Sequence, residues 1–419
     1  MHLPFVRAAW LAALLFVGAC SSTPPRPAAA VATAPPPVLL LVSIDGLRAD
    51  IPGTGRMPTL DALYEQGARA AWINPSFPTL TFPNHYTLVT GLRPDRHGIV
   101  HNNLDDDALG RFESKKASGR DGRFWGGEPI WITAQRAGLA TATMFWPGSE
   151  AEIAGGRPRH WRPFDSALTP AERTAQVLAW LDLPEAQRPR FITLYLEQVD
   201  VASHLHGTFS PEAFDAMRTV DDALAMLLRG LDERGLRDSV NLVALSDHGM
   251  ADVPRGNAAF LDDAMPPDAY SYTWLGPVAG IVPKPGREAE VRRAFIGRHP
   301  HYECWDRQAL PPAWHYGRNP RVPPIVCQAD TGWRIQLKQH PFPQNPVKGE
   351  HGFRPEDPQM RAFFVARGPD FVPGARLPAF DNVDVYPLLA HLLRVSPVPN
   401  DGTLEPLEPA LKSRTDTVH

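Results

Sequence analysis

Two short apolar runs, Val38–Ile44 and Val240–Leu245, each stop at a carboxylate: Ser43-Ile44-Asp45-Gly46 in the first, Leu245-Ser246-Asp247-His248-Gly249 in the second. Runs of this length, rich in Val, Ile and Leu and bounded by turn residues, read as buried strands. Phe191–Leu196 and Met360–Ala366 have the same character. Helical patterns separate them. Thr169-Pro170-Ala171-Glu172 is a capping box with proline at the first helical position, and Val177, Leu178 and Leu181 continue its apolar face, predicting a helix over Pro170–Leu183. Ser210-Pro211 opens another, with Phe214, Met217, Val220, Leu224, Leu227 and Leu231 at three- and four-residue spacing and Gly235 as its stop. Strands alternating with helices predict an α/β fold: a mainly parallel central sheet with helices on both faces. In such a sheet the functional residues stand beyond the carboxyl ends of the strands, which is where Asp45 and Asp247 fall.

Further donors follow the same rule. Val199-Asp200-Val201-Ala202-Ser203-His204 comes directly after Phe191–Leu196, and an Asp and a His four apart share one face if the segment turns helically. Lys348-Gly349-Glu350-His351-Gly352 comes late in the chain. A single aspartate at a strand end is ordinarily a turn former. Asp45, Asp200, His204, Asp247, His248 and His351 together are six oxygen and nitrogen donors, enough for two zinc ions with three protein ligands each and coordination positions left over. The candidate nucleophile lies in Pro78-Thr79-Leu80-Thr81-Phe82-Pro83-Asn84-His85, a proline-punctuated loop running into a short helix that ends near Gly91. A threonine there is ordinarily an N-cap. Beside a divalent cation and a helix N-terminus, its weakly acidic hydroxyl becomes a usable nucleophile.

With these residues in view, the sequence resembles the nucleotide pyrophosphatase/phosphodiesterases of the alkaline-phosphatase superfamily. The likeness spans most of the chain. It rests on Thr-Phe-Pro-Asn-His-Tyr, then Thr-Gly-Leu and His97-Gly98-Ile99, Asn102, Asp200 with His204, Asp247-His248-Gly249 and Gly349-Glu350-His351-Gly352, in family order. The resemblance implies an alkaline-phosphatase-like fold. It implies one zinc on Asp45, Asp247 and His248 beside Thr81, and a second on Asp200, His204 and His351. It implies Asn102 as a donor to a phosphoryl oxygen, and Phe82 and Tyr195 as aromatics that clamp a nucleobase or other leaving moiety. The activity implied is hydrolysis of nucleotide phosphodiesters and pyrophosphates to nucleoside 5′-monophosphate through a covalent phosphothreonine. His206-Gly207 departs from the family pattern, and His206, like His85 and His97, reads as structural, the last two as loop residues.

The same resemblance leaves glycerophosphodiesters and lysophospholipid choline esters as the competing substrates, and a non-catalytic lipid-anchored binding protein as a remote alternative. The aromatics Phe124, Trp125 and Trp146 favour nucleotides, because a stacking slot suits a base. Phosphomonoesterases of the superfamily resemble a different pattern, with a serine nucleophile and a phosphate-clamping arginine, and no sulfatase-type Cys/Ser-x-Pro-x-Arg motif lies near Thr81.

The ends of the chain set its compartment and domain plan. Arg7, an apolar run from Ala8 to Val17 and Gly18-Ala19-Cys20 read as an export signal, and the cysteine makes it resemble a bacterial lipoprotein signal in which Cys20 is lipidated. An ordinary secretory signal or an N-terminal membrane anchor is the other reading; all three place the body outside the cytoplasm, in the periplasm or cell envelope. The expected plan is a signal over residues 1–19, a Pro/Ala-rich tether over 20–37, a catalytic domain over 38–400 with a Pro-, Trp- and Arg-rich insertion or cap at 258–347, and a tail over 401–419. Cys304 and Cys327 remain, and an even pair in an oxidising compartment favours a disulfide over two buried thiols. A net charge of −4 gives no field for gathering polyanions, so nucleic acid is disfavoured as a main partner. A small nucleotide or other phosphodiester and, through Cys20, a membrane are the expected partners; no obligate protein partner is evident.

Overall fold

The computed structural model describes residues 36–338 and 348–413, with Met1. The expected signal, Cys20 and nearly all of the tether lie outside the described residues. The central sheet contains β1 (Val38–Ile44), β2 (Ala68–Ala70), β3 (Thr141–Met144), β4 (His160–Trp161), β5 (Phe191–Leu196), β6 (Val240–Leu245), β7 (Phe364–Arg367) and β8 (Arg376–Leu377). Their order is β8-β2-β7-β6-β1-β5-β3-β4. β1 pairs in parallel with β5 and β6, and β3 with β4 and β5, whereas β7 runs antiparallel to both β6 and β2. The sheet is therefore mainly parallel, as expected, with one reversed strand.

Side-chain alternation along β1 explains why both faces are covered. Leu39 and Leu41 enter a core with Tyr86, Leu88 and Leu389, while Val38, Leu40 and Val42 enter a second core with Leu60, Val177, Met217 and Leu224. The first face carries α2 (Thr81–Thr90) and α6 (Val385–Leu393); the second carries α1 (Pro58–Gln66), α3 (Pro170–Leu181) and α5 (Pro211–Glu233). Thr169 caps α3 reciprocally with Glu172, and the Ser210 side chain caps α5, as the sequence predicts.

Two expectations change. The last strand begins at Phe364 rather than Met360, because Pro358–Met360 forms a tight 3-10 turn first. The segment expected as an insertion or cap builds an antiparallel five-stranded sheet from Tyr270–Trp274, Val278–Pro283, Ile325–Ala329, Tyr302–Asp306 and Gly297–His299, with its own core and, as expected, a Cys304–Cys327 disulfide, here between directly opposed residues. The expected break at residue 400 is not a boundary. Leu407 and Ala410 are buried in the main core, and Asp401 N–H donates to Gly91 O.

Candidate metal centre and nucleophile

The carboxyl ends of β1, β5 and β6 bring the donors together. Asp45 follows β1 directly, Asp247 follows β6 after Ser246, and α4 (Gln198–His206), opening two residues after β5, carries Asp200 and His204. His351 arrives from Gly349–Glu350, which pairs with Ala251–Asp252 just beyond Asp247. Asp45, Asp247 and His248 form one group and Asp200, His204 and His351 another, the donor atoms of each lying within 4.8 Å of one another. The groups abut: the rings of His248 and His351 stack with centroids 3.7 Å apart. Gly46 makes the crowding possible. Its φ of +68° suits glycine, its N–H donates to Asp247 Oδ1, and a Cβ there would lie 3.1 Å from Asp200 Oδ1.

Each histidine is held in one orientation by the backbone. Nδ1 of His248 meets Gly249 O, Nδ1 of His204 meets Gly349 O and Nδ1 of His351 meets Thr79 O, each at 2.8 Å. A carbonyl only accepts, so Nδ1 must carry the proton, and Nε2 presents its lone pair. His248 Nε2 lies 2.9 Å from Asp247 Oδ2 and 3.6 Å from Asp45 Oδ1; His351 Nε2 and His204 Nε2 lie 3.6 and 3.4 Å from Asp200 Oδ1. Asp45 Oδ1, Asp200 Oδ1 and Asp247 Oδ2 are buried without a hydrogen-bond partner. Lone pairs aimed at carboxylate oxygens repel one another unless a proton or a cation stands between them. Burial, together with the charges of Asp247 and Asp200, drives the Asp45 pKa well above the ordinary carboxylate range. Burial pushes the His248 pKa down, but Asp247 outweighs it and the net direction is up. The donor chemistry fits divalent cations.

Thr81 is the first residue of α2, and its Oγ1 lies 3.3 Å from His248 Nε2. Asn102 sits beside it, its Oδ1 accepting from the Phe82 N–H at 2.9 Å, which commits the side-chain oxygen and leaves the amide NH2 as its donor. Phe82 is half-buried and leans on Trp125 at 6.2 Å. Tyr195 differs from the clamp expected of it. Its hydroxyl donates to Asp45 Oδ2 at 2.5 Å and its ring packs edge-on against His85, so it supports a carboxylate from within the core. His206 stands apart, half-exposed and facing Glu212.

Sequence reasoning placed His85 in a loop, yet it lies one turn into α2, fully buried. It also passed over Phe164, 41% exposed and packed against Tyr195, and over the buried Arg173. Neither stands in a recognisable motif; Arg173 reads in sequence as an ordinary charged helix residue.

Comparison with known proteins places the chain in a family. A sequence model of the family described as type I phosphodiesterase / nucleotide pyrophosphatase matches residues 39–354. A pyrophosphatase/phosphodiesterase of Schizosaccharomyces pombe is 34% identical over 90% of this chain and 81% of its own. Rat ectonucleotide pyrophosphatase/phosphodiesterase family member 3 is 34% identical and a venom phosphodiesterase of Crotalus durissus collilineatus 36%, each over 89% of this chain; the chain spans only 44% and 46% of their lengths. Murine ectonucleotide pyrophosphatase/phosphodiesterase 5, solved as an inactive threonine-to-alanine form in complex with AMP, superposes with a TM-score of 0.84 at 33% identity, covering 90% of this chain and all of that one. The chain belongs to the type I phosphodiesterase / nucleotide pyrophosphatase family of the alkaline-phosphatase superfamily.

Proposed function

We propose that this protein hydrolyses nucleotide phosphodiesters and pyrophosphates, releasing nucleoside 5′-monophosphate, with Thr81 as nucleophile and two zinc ions as cofactors. The observation that carries the reading is the set of three histidines, each with Nδ1 tied to a carbonyl and Nε2 turned toward a buried carboxylate beside Thr81. Asp45, Asp247 and His248 would hold one ion, and Asp200, His204 and His351 the other; mixed Asp/His sets suit zinc. Bound there, the ions supply Lewis acidity toward the phosphoryl oxygens and lower the pKa of a nearby hydroxyl.

The chain's own residues do the rest. Thr81 Oγ1 gives up its proton and forms a bond to phosphorus as the bond to the leaving oxygen breaks, and the leaving group departs with that electron pair and takes up a proton in its place. The Asn102 amide donates to a phosphoryl oxygen as charge builds on it. Water then attacks the phosphothreonine, the Thr81 oxygen–phosphorus bond breaks, and a phosphomonoester is released. Phe82, beside the nucleophile, and the exposed Phe164 offer apolar faces for a base. That the murine relative was solved with AMP, inactive as a threonine-to-alanine form, supports both the nucleotide class and the role of Thr81. We also place the folded body outside the cytoplasm, held by a lipid on Cys20, on the signal motif and the disulfide.

The test is hydrolysis of p-nitrophenyl thymidine 5′-monophosphate against glycerophosphocholine and p-nitrophenyl phosphate, with Thr81→Ala as control. Preference for the nucleotide ester, lost in Thr81→Ala and on chelation, is the expected result. Preference for glycerophosphocholine moves the enzyme to lipid-directed diesters, and chelator-insensitive turnover overturns the metal reading.

A further inference from the structure

Arg173 lies on α3, outside both donor groups, yet its side chain is fully buried. Its Nε donates to Leu168 O at 2.9 Å and one terminal nitrogen to Tyr195 O at 3.0 Å; the other reaches Glu197 Oε1 at 2.8 Å, and Glu197 Oε2 is paired as well. Its guanidinium also lies over the rings of Phe145 and Phe164, at 4.9 and 5.7 Å. The three residues it brackets are the junction between β5 and α4: two bond to Asp45, and the third opens the helix that carries Asp200 and His204. Tyr195 donates its hydroxyl to Asp45, Leu196 O accepts from the Asp45 N–H, and Glu197 is the N-cap residue of the helix bearing Asp200 and His204. The Glu197 carboxylate, placed where it could cap that helix, makes no capping bond and is turned back to Arg173 instead.

A buried ion pair is poor value as stabilisation, since apolar residues of similar volume serve as well or better. What a bidentate guanidinium–carboxylate pair supplies is orientation. We propose that Arg173 and Glu197 are positioning residues for the metal centre: they fix the β5–α4 corner so that Asp200 and His204 on one side and Asp45 on the other stand at matched spacing. This rests on the reading of those residues as metal ligands.

The test is calorimetric titration of zinc into the full chain stripped by chelation, with steady-state kinetics on bis(p-nitrophenyl) phosphate in parallel. Wild type should take two zinc ions. In Arg173→Met/Glu197→Leu, which removes both charges, and in Glu197→Gln, zinc binding should weaken at least about tenfold, with kcat falling more than KM rises. Asp221→Asn is the control for general destabilisation: Asp221 accepts from the Thr59 and Leu60 N–H groups at the start of α1 and touches neither donor group. Its variant should melt earlier but bind zinc as wild type does. If the double variant does not fold, Glu197→Gln decides alone. Folded variants that bind both ions with wild-type affinity overturn the positioning role. A wild-type chain that takes up no zinc removes the metal reading itself, and this inference with it.

Discussion

His85 Nδ1 lies 3.1 Å from Asp247 Oδ2 and 3.0 Å from the carbonyl oxygen of Thr81, while its Nε2 meets Ser43 Oγ at 2.8 Å. One imidazole thus bonds the first turn of the nucleophile's helix to the end of β1 and stands against a donor carboxylate. Groups behind a metal ligand commonly set metal affinity by 10- to 100-fold. His85→Ala should lower zinc affinity and kcat/KM on a nucleotide ester by roughly 10-fold or more each. His85→Asn, which can place an amide donor near the position of Nδ1, should recover part of both. Unchanged zinc titration curves for His85→Ala would leave the imidazole with a packing role only.

Why His85 escaped notice in the sequence is a matter of geometry. Thr81 and His85 are four apart, so they share a face only once the segment is known to be helical from Thr81 onward; the prolines at 78 and 83 made a loop the natural expectation. The strand-end donors were legible because a parallel sheet puts chemistry at carboxyl ends whatever the details, and β1, β5 and β6 obey that rule. Tyr195 and Arg173 were not legible for the opposite reason. Tyr195 was expected to face a substrate, and only the register that sets Tyr195 opposite Ser43 turns its hydroxyl to Asp45. Arg173 carries a charge that sequence patterning sends to the surface, and its burial follows from Glu197, a partner 24 residues away.

Removal of metal should cost stability as well as activity. A ligand that binds only the folded chain stabilises it by about 2.7 kcal/mol at 100 times its Kd, and chelation also leaves Asp45, Asp200 and Asp247 facing one another. With the Asp45 pKa raised by burial and by those neighbours, its contribution in the metal-free chain is fully present below the unfolded carboxylate pKa and is lost as pH rises through the folded value. The gap in melting temperature between zinc-loaded and chelated protein should therefore widen from acid to neutral pH. Differential scanning calorimetry at two pH values reads it, and equal melting temperatures with and without chelator would contradict it.

The disulfide belongs to the insertion rather than to the donor groups. Cys304 and Cys327 are opposed on neighbouring strands of the five-stranded sheet, with a sequence separation of 23. Closing a loop of that length removes unfolded-state entropy worth about 3 kcal/mol in the chain-entropy model. Cys304→Ala/Cys327→Ala should destabilise the fold by up to that amount in urea, while zinc stoichiometry stays as in wild type, since both cysteines sit in the insertion's own core. Loss of zinc from the folded double variant would show that the insertion's core supports the centre directly.

His97 should make the protein acid-sensitive in a window set by its burial. Its Nδ1 accepts from the Ile99 N–H at 3.1 Å, and its Nε2 faces Pro83 O and Thr87 Oγ1, so the buried ring is satisfied only when neutral. A proton on Nδ1 would confront that N–H. Burial accordingly pulls the His97 pKa down to about 3. Between there and the unfolded value near 6.5 the unfolded chain binds a proton that the folded chain refuses, so stability is intact above about pH 6.5 and is lost as pH falls toward 3. The slope from one such group is at most about 1.4 kcal/mol per pH unit. His97→Asn keeps an oxygen acceptor for Ile99 and does not titrate, so urea unfolding at pH 4.5, 5.5 and 7, with chelator present to remove metal release from the comparison, should give a slope up to one proton shallower than wild type. Parallel slopes for the two proteins would mean that other buried groups, His101 or the carboxylates, govern the acid limb in place of His97.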